Sequence, residues 1–274
     1  MMSVLSIKGL SKSFGTNKVI DNISFDVPEG SVFGFIGANG AGKTTTMKMI
    51  LGLLPADSGE IYVCGEKVSF GATKTNRLIG YLPDVPEFYG YMRPKEYLYL
   101  CGEVVGLDSE TIKQRTSYLL EKVGLADVTK RIKSFSRGMK QRLGVAQALL
   151  NEPKLLICDE PTSALDPIGR KEILEILKSI RGNTTVIFST HILSDVERIC
   201  DRLAVLHKSN IVLESSINDL KLEHKSRVIE VEFDDEVDSQ EVLRVLTEGN
   251  LAPIRCEAHN AEISLESLYL EVIE

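Results

Sequence analysis

A glycine-rich segment at residues 37–44 restricts the fold of this chain more than any other feature. It reads Gly-Ala-Asn-Gly-Ala-Gly-Lys-Thr and matches the pattern G-x-x-x-x-G-K-[ST]. A continuous apolar run at 31–36 precedes it, as in a buried strand, and a helical pattern at 43–54 follows it. This order predicts an α/β fold with a phosphate-binding loop. The alternative, a chance match in a glycine-containing turn, is weakened by the strand and the helix around it.

The residues of this loop have separate expected tasks. Its glycines let the chain curl so that backbone N–H groups face phosphate oxygens, and the helix N-terminus adds partial positive charge. Lys43 is expected to reach the β- and γ-phosphates, and the Thr44 hydroxyl to bind Mg²⁺. Thr45 either contacts the α-phosphate or only fills the first helical turn. The predicted nucleotide contacts in the loop are Gly37, Asn39, Gly40, Ala41, Gly42, Lys43, Thr44 and Thr45.

Two adjacent acidic residues follow a second apolar run, at 155–158. Carboxylates at the mouth of a buried strand are costly unless positive charge lies beside them, and a bound Mg²⁺ would supply it. Asp159 is therefore the predicted metal ligand, directly or through water, and Glu160 the predicted general base. The alternative is an aspartate that caps a helix before Pro161.

Strand patterns alternate with helical patterns along residues 1–214, which predicts a largely parallel sheet. The predicted strands are 3–7, 19–27, 31–36, 59–64, 79–82, 155–158, 185–189 and 203–207. The predicted helices are 43–54, 94–123 with a break at Gly106, 138–150, 168–180 and 192–200. Beyond residue 215 the patterns suggest a strand at 227–233 and helices at 240–247 and 265–273.

The charge of −7 is unevenly placed along the 274 residues. Residues 215–274 hold 15 acidic and 5 basic residues, whereas residues 1–214 hold 24 and 27. This break predicts a domain boundary near residue 215, between a larger domain at 1–214 and a small acidic appendage at 215–274. The acidic appendage argues against a nucleic-acid partner, since phosphate binding needs Lys and Arg, and a solvated acidic face is its simplest interpretation.

Composition excludes several classes. No stretch approaches the roughly 18 apolar residues that span a bilayer, and Lys8 and Lys12 interrupt any signal-peptide core. Five widely spaced cysteines and four histidines without ligand spacing predict reduced thiols and no structural metal.

Further segments, together with the loop and the acidic pair, make residues 3–214 resemble the ATP-binding subunit of an ABC transporter. Residues 134–142, Ser-Phe-Ser-Arg-Gly-Met-Lys-Gln-Arg, resemble the signature motif of the family, and 163–166 resemble its D-loop. The residues that the resemblance singles out are Phe14 for stacking on adenine, Asp84 in the Q-loop, Ser136, Arg137, Gly138 and Met139 in the signature, Asp166 in the D-loop and the switch histidine His191.

The chain departs from the family pattern at several of these positions. Arg137 and Met139 replace a glycine and the glutamine of the usual Ser-Gly-Gly-Gln signature, while Ser136 and Gly138 are kept. Asp84 replaces the usual glutamine, which adds negative charge beside ATP and makes it a further candidate ligand for Mg²⁺. Phe14 replaces the usual tyrosine but keeps a ring face. Such departures are similar to those of export-type subunits, including antibiotic and bacteriocin resistance transporters.

The resemblance implies a P-loop ATPase with a RecA-like parallel-sheet core, an antiparallel β subdomain and a helical signature subdomain at about 85–150. It implies a motor that hydrolyses ATP with Mg²⁺ and drives transport, by preference export, through membrane-spanning permease subunits at the cytoplasmic face of the membrane. Lys43, Glu160 and His191 would be its catalytic residues. Since each chain has one phosphate loop and one signature, a homodimer would complete two sites.

An aromatic segment follows Asp84 and comprises Phe88, Tyr89, Tyr91, Met92, Tyr97 and Tyr99. Aromatic and Met side chains in a loop-like stretch favour a groove for a helix of the membrane subunit. The alternative is that Tyr97 and Leu98 begin a core helix.

Other functions fit the sequence less well. A soluble ABC-type ATPase of translation usually has two such domains, and one of DNA repair carries a long coiled-coil insertion for which residues 44–135 leave no room. A nucleotide-regulated binding module without turnover would not need Glu160 and His191. A RecA-like or GTPase fold would not explain the signature and His191 together.

Overall fold

A computed structural model describes residues 3–71, 74–223, 244, 245, 248 and 249. The strands are β1 (Ser3–Phe14), β2 (Asn17–Pro28), β3 (Val32–Ile36), β4 (Ser58–Val63), β5 (Glu66–Lys67), β6 (Ile79–Leu82), β7 (Leu155–Asp159), β8 (Thr185–Thr190), β9 (Arg202–His207) and β10 (Asn210–Ser216). The α-helices are α1 (Lys43–Ile50), α2 (Pro94–Val104), α3 (Ser109–Lys122), α4 (Arg137–Leu149), α5 (Pro167–Ser179), α6 (Leu193–Ile199) and α7 (Ile217–Glu223). Short 3₁₀ turns lie at Lys74–Leu78 and Ile132–Ser134.

The described strands form two sheets. The smaller sheet has the order β2-β1-β4-β5 and is antiparallel. The larger has the order β10-β9-β3-β8-β7-β6, and its strands are parallel except for β10. Strands β3, β7 and β8 are buried along their whole length, which explains their continuous apolar runs. The predicted parallel core and antiparallel subdomain are both confirmed.

The register of the large sheet determines where the site lies. Ile36 pairs with Thr190, and Asp159 pairs with Ser189, so β3, β7 and β8 end at one edge. In an open parallel sheet, ligands bind outside the carboxyl ends of the strands. The phosphate loop, the acidic pair and the residue after Thr190 therefore leave the sheet together.

Two apolar cores surround the large sheet. One lies between the two sheets and α1, where Phe25 stacks on Phe33 and Phe35 with ring centroids 5.6 and 5.3 Å apart. The other joins the opposite face of the large sheet to α2–α6. Helices α2, α3 and α4 form the predicted helical subdomain, and Gly106 separates the first two as expected. Asp108 caps α3 by accepting from the N–H groups of Glu110 and Thr111.

Several predicted boundaries differ from the structure. Strand β1 runs on to Phe14 instead of ending near residue 7, because β2 pairs with it and Lys12 is buried in an ion pair with Asp57. Helix α1 ends at Ile50, four residues early, since the chain turns at Gly52 with a φ of 67°.

The predicted domain boundary at 215 falls inside β10, and α7 buries Ile217 and Leu220 in the second core. The described ATPase fold therefore continues to Glu223, and the appendage stays a prediction. The predicted strand at 227–233 and helix at 265–273 lie outside the described residues; of 240–247, residues 244 and 245 are described, as helix. None of the helices in the described ranges has the length and apolar character needed to cross a bilayer.

Candidate active site

The phosphate loop connects β3 to α1, and its shape requires glycine at two positions. A Cβ atom at Gly37 would lie 2.7 Å from the carbonyl oxygen of Leu206. Gly42 has a φ of 110°, and a Cβ there would lie 2.6 Å from Ile20 Cδ1. Gly42 is also the N-cap of α1, and within the described structure no side chain caps that helix end. Its free N–H groups are therefore available to an anion.

Lys43 lies beneath this loop with its side chain only 5% exposed. Its Nζ donates to the carbonyl oxygens of Gly37, at 2.6 Å, and Ala38, at 3.1 Å. It also forms an ion pair with Glu160, 3.0 Å from Oε1. The ammonium thus sits between the loop and the acidic strand end, while residues 38–40 of the loop are exposed.

Asp159 ends β7 and is 3% exposed. Its Oδ2 accepts from Thr44 Oγ1 at 2.7 Å, and its Oδ1 accepts from Ser189 Oγ at 2.6 Å. The helix-cap alternative for Asp159 is wrong, because Asp166 caps α5 by accepting from Gly169 N at 2.9 Å.

The donor set around Thr44 and Asp159 fits Mg²⁺. Hydroxyl and carboxylate oxygens are hard ligands, and Mg²⁺ usually takes one or two protein oxygens, with phosphates and water completing its shell. Among the described residues, no group of three or more His, Cys, Asp or Glu side chains is arranged to hold a metal by itself. An ion here would therefore depend on the nucleotide phosphates.

Glu160 follows Asp159 in a left-handed backbone conformation, with a φ of 49°. Such a conformation costs a non-glycine residue about 1–3 kcal/mol and persists only where surrounding contacts hold it. Its N–H donates to the carbonyl oxygen and to the Oγ of Ser189, at 3.1 and 3.2 Å. Its Oε2 lies 2.9 Å from Nδ1 of His191. Glu160 thus contacts both Lys43 and His191, and the three predicted catalytic residues lie together.

Two departures from the family pattern contact each other. Nη2 of Arg137 lies 3.2 Å from Oδ1 of Asp84, and the buried Gln141 donates to the Asp84 carbonyl oxygen at 2.7 Å. Burial raises the pKa of the Asp84 carboxyl, and the charges of Asp159 and Glu160 raise it further, against the lowering effect of Arg137. The negative charges of Asp159 and Glu160 therefore act on Asp84, although the side chain that contacts its carboxylate is that of Arg137.

The signature residues lie at the start of α4. Ser136 is exposed and caps the helix, with its Oγ accepting from Met139 N at 3.3 Å. Arg137 is exposed, Gly138 is half-buried, and Met139 packs against the second core. In the described structure no hydrogen bond connects Ser136 to the phosphate loop of its own chain.

Phe14 is 51% exposed at the end of β1, opposite Asn17 of β2. Lys12 Nζ lies 5.6 Å from the centre of its ring. Val19 and Ile20, further along β2, are the residues that border Gly42. The hairpin that carries Phe14 therefore adjoins the phosphate loop and leaves a ring free for a planar ligand.

Comparison with known proteins identifies the family. The family model described as ABC transporter matches residues 20–163. The chain belongs to the ABC transporter family. It is 43% identical over 226 residues to an uncharacterized ABC transporter ATP-binding protein, YxlF of Bacillus subtilis, covering 82% of this chain and 75% of that protein. It is 38% identical over 239 residues to the bacitracin transport ATP-binding protein BcrA of Bacillus licheniformis, covering 86% and 77%.

The fold agrees with this assignment. A solved ATP-binding subunit of an ABC transporter shares it at 28% identity with a TM-score of 0.75, and the match covers 98% of this chain and 99% of that one. The chain is therefore an ATP-binding subunit of an ABC transporter, an ATPase that powers transport. The hypotheses of a translation or DNA-repair ATPase are not favoured.

Two residues of this ABC ATPase site were not predicted as site residues. Ser189 donates to Asp159 and accepts from the backbone N–H of Glu160. The one feature of the sequence that points to Ser189 is its position as a polar residue directly after the apolar run at 186–188. Gln141 is fully buried and anchors the backbone of Asp84. A glutamine inside the apolar pattern of α4 is its signal.

Proposed function

We propose that this ABC ATPase drives the export of an antibiotic-like compound through separate membrane-spanning subunits. The carrying observation is a mostly apolar groove on the helical subdomain, which suits a helix of a partner. Export is supported by the signature departures at Arg137 and Met139 and by the similarity to a bacitracin transport protein. The chain would lie on the cytoplasmic face of the membrane, held by its partner.

ATP would lie on the phosphate loop with its adenine on Phe14. The uncapped N–H groups at the N-terminus of α1 would face the phosphates, and Lys43 would exchange its loop carbonyls for the β- and γ-phosphate oxygens. Thr44 and Asp159 would hold Mg²⁺, with Asp84 as a further candidate ligand. The ion would neutralise charge on the phosphates.

Hydrolysis needs a base beside the γ-phosphate, and the ion pair of Glu160 with Lys43 supports Glu160 in that role. It would take a proton from the attacking water. A proton on Nδ1 lets His191 donate to Glu160 Oε2, which fixes the carboxylate, and a second proton on Nε2 would let the ring donate to a γ-phosphate oxygen. Glu160, the proposed base, and His191, which orients it, are thus joined by a hydrogen bond.

A second subunit would complete each site. Ser136 and Gly138 lie at the N-terminus of α4, where N–H groups favour an anion, but no hydrogen bond in the described structure joins them to their own phosphate loop. In a twofold dimer, the signature of one copy, with Asp166 beside it, closes on ATP held by the other. ATP then stabilises the closed dimer, and hydrolysis releases it.

The groove lies on the helical subdomain. Its volume is about 320 Å³, and it is lined by Tyr89, Tyr97, Leu100, Cys101, Val104, Val105, Gln147, Leu150 and Asn151. Tyr97 is itself buried, donates to Gln147 at 3.1 Å and meets Phe88 edge-on at 5.1 Å, so it belongs to the core. Tyr89, Tyr91 and Val104 remain exposed, and an amphipathic helix would cover them.

Capture of the tagged chain from native membranes in mild detergent tests this proposal. We expect a polytopic membrane protein in stoichiometric amount with the unaltered chain. Tyr89→Asp, which puts a charge into the groove, should lower that recovery at least tenfold, roughly 1.4 kcal/mol. ATPase activity of the isolated subunit should not change.

Tyr118→Asp is the matched control, because Tyr118 is 60% exposed on α3 and Tyr89 is 55% exposed. Tyr118 does not line the groove. Equal losses in both variants would contradict the docking site. Recovery of the unaltered chain with ribosomes or repair proteins alone would contradict the transporter partner.

A further inference from the structure

Asp195 has a buried carboxylate that none of the roles described above for the nucleotide site explains. It lies on α6 and is 1% exposed. Its Oδ2 accepts from Thr162 Oγ1 at 2.6 Å, and its Oδ1 accepts from Arg170 Nε at 2.6 Å. Both lengths are short, as in charge-assisted hydrogen bonds. Removing a polar group from water is costly, so such a carboxylate needs partners of this quality.

The three residues connect the segments that carry the site. Thr162 lies two positions after Glu160, and Asp195 lies four positions after His191. Arg170 is on α5, which begins after Asp166, and its Nη2 also donates to Ser194 Oγ at 2.7 Å. Asp195 therefore joins the turn after the proposed base to the helix after the switch histidine.

The turn after Glu160 has an unusual backbone, and Asp195 holds it in addition to the hydrogen bond from Ser163 N–H to the Glu160 carbonyl oxygen. Glu160 and Ala164 both have left-handed backbones, with φ of 49° and 51°. Ser189 holds the N–H side of Glu160, but the next residue, Pro161, has no N–H to donate. Thr162 is 1% exposed, and its hydroxyl is the first side-chain donor beyond Glu160.

We propose that Asp195 is a positioning residue for ATP hydrolysis. By holding Thr162 and Arg170, it keeps the Glu160 turn and α6 in the relative placement that brings Glu160 Oε2 within 2.9 Å of His191 Nδ1. This inference rests on the proposed role of Glu160 as the base. In the described structure the side-chain polar partners of Asp195 are Thr162 and Arg170, and neither belongs to the phosphate loop.

Asp195→Asn tests the inference, since the amide keeps the size but cannot accept both hydrogen bonds. Misplacement of a catalytic group by about 1 Å costs on the order of 100-fold in rate. We expect kcat for ATP to fall roughly 10- to 100-fold. The KM for ATP and the binding of a fluorescent ATP analogue should stay within about twofold, because the phosphate loop is untouched.

If the role of Asp195 were purely structural, Asp195→Asn would lower stability without lowering kcat at constant KM. A matched control is therefore needed. Asp201 also pairs with an arginine, Arg181, and its Oδ2 accepts from Val32 N at 2.9 Å, at the end of β3 opposite the loop. Asp201→Asn should lower the melting temperature and leave kcat unchanged. Equal kcat in Asp195→Asn and Asp201→Asn at matched folded fractions would overturn the proposal.

Thr162→Val provides a second route if Asp195→Asn does not fold. It removes one hydroxyl and leaves the pair between Arg170 and Asp195, and it should lower kcat in the same direction. Normal kcat in Thr162→Val would overturn the proposal. Normal turnover in Glu160→Gln would instead remove the base assignment itself, whereas an inactive Glu160→Gln beside a normal Asp195→Asn would remove only the positioning role.

Discussion

Replacing Glu160 by glutamine is expected to lower kcat by roughly 100- to 10,000-fold, the range for loss of a general base. Glutamine has the same size and can keep a hydrogen bond to His191, but it cannot take a proton from water. The loss of the ion pair with Lys43 should change ATP affinity little, because phosphate oxygens would be partners of Lys43 in the bound state. ATP affinity should therefore remain within a few-fold of the unaltered subunit.

Phosphate release and titration with a fluorescent ATP analogue measure the two quantities separately. Size-exclusion chromatography with ATP should also show more dimer for Glu160→Gln, since the nucleotide that stabilises the closed pair is not consumed. Glu175→Gln is the control, because Glu175 pairs with Arg198 at 3.0 Å on the exposed side of α5. Normal turnover in Glu160→Gln would show that another group activates the water.

The parts of the candidate site that are close in sequence can be located from local patterns alone. The phosphate loop and the pair Asp159–Glu160 each occupy one strand end, so local patterns place them. Their meeting at one edge also follows from the sequence, since parallel strands present their carboxyl ends together. The predicted sheet core and helical subdomain were confirmed for the same reason: their apolar patterns are long and regular.

Contacts between distant segments could not be predicted this way. Ser189 reaches Asp159 because of the register between β7 and β8, and apolar patterns specify which face is buried but not which residues are opposite. Arg137 and Asp84 are 53 residues apart, and their pairing depends on how α4 packs beside β6. Tyr97 was predicted together with the exposed aromatics, yet packing of α2 against α4 buries it.

Replacing Lys43 by methionine is expected to weaken nucleotide binding strongly. The unbranched methionine fills most of the same volume, so the change removes mainly the charge and its hydrogen bonds. Truncating one partner of a buried charged contact costs about 2–5 kcal/mol. We therefore expect ATP affinity to fall at least about 30-fold, and hydrolysis to disappear at ordinary ATP concentrations.

Thermal unfolding with and without ATP provides a sensitive measurement, because a ligand that binds only the folded state stabilises it by about 2.7 kcal/mol at 100 times its Kd. The unaltered subunit and Glu160→Gln should both gain melting temperature with ATP, and Lys43→Met should not. Lys48→Met is the control on the same helix, since Lys48 is exposed in its last turn. An undiminished ATP shift in Lys43→Met would show that backbone N–H groups alone hold the phosphates. If ATP raises the melting temperature of Glu160→Gln but not that of Lys43→Met, then Lys43 acts in nucleotide binding and its ion-pair partner Glu160 acts in hydrolysis.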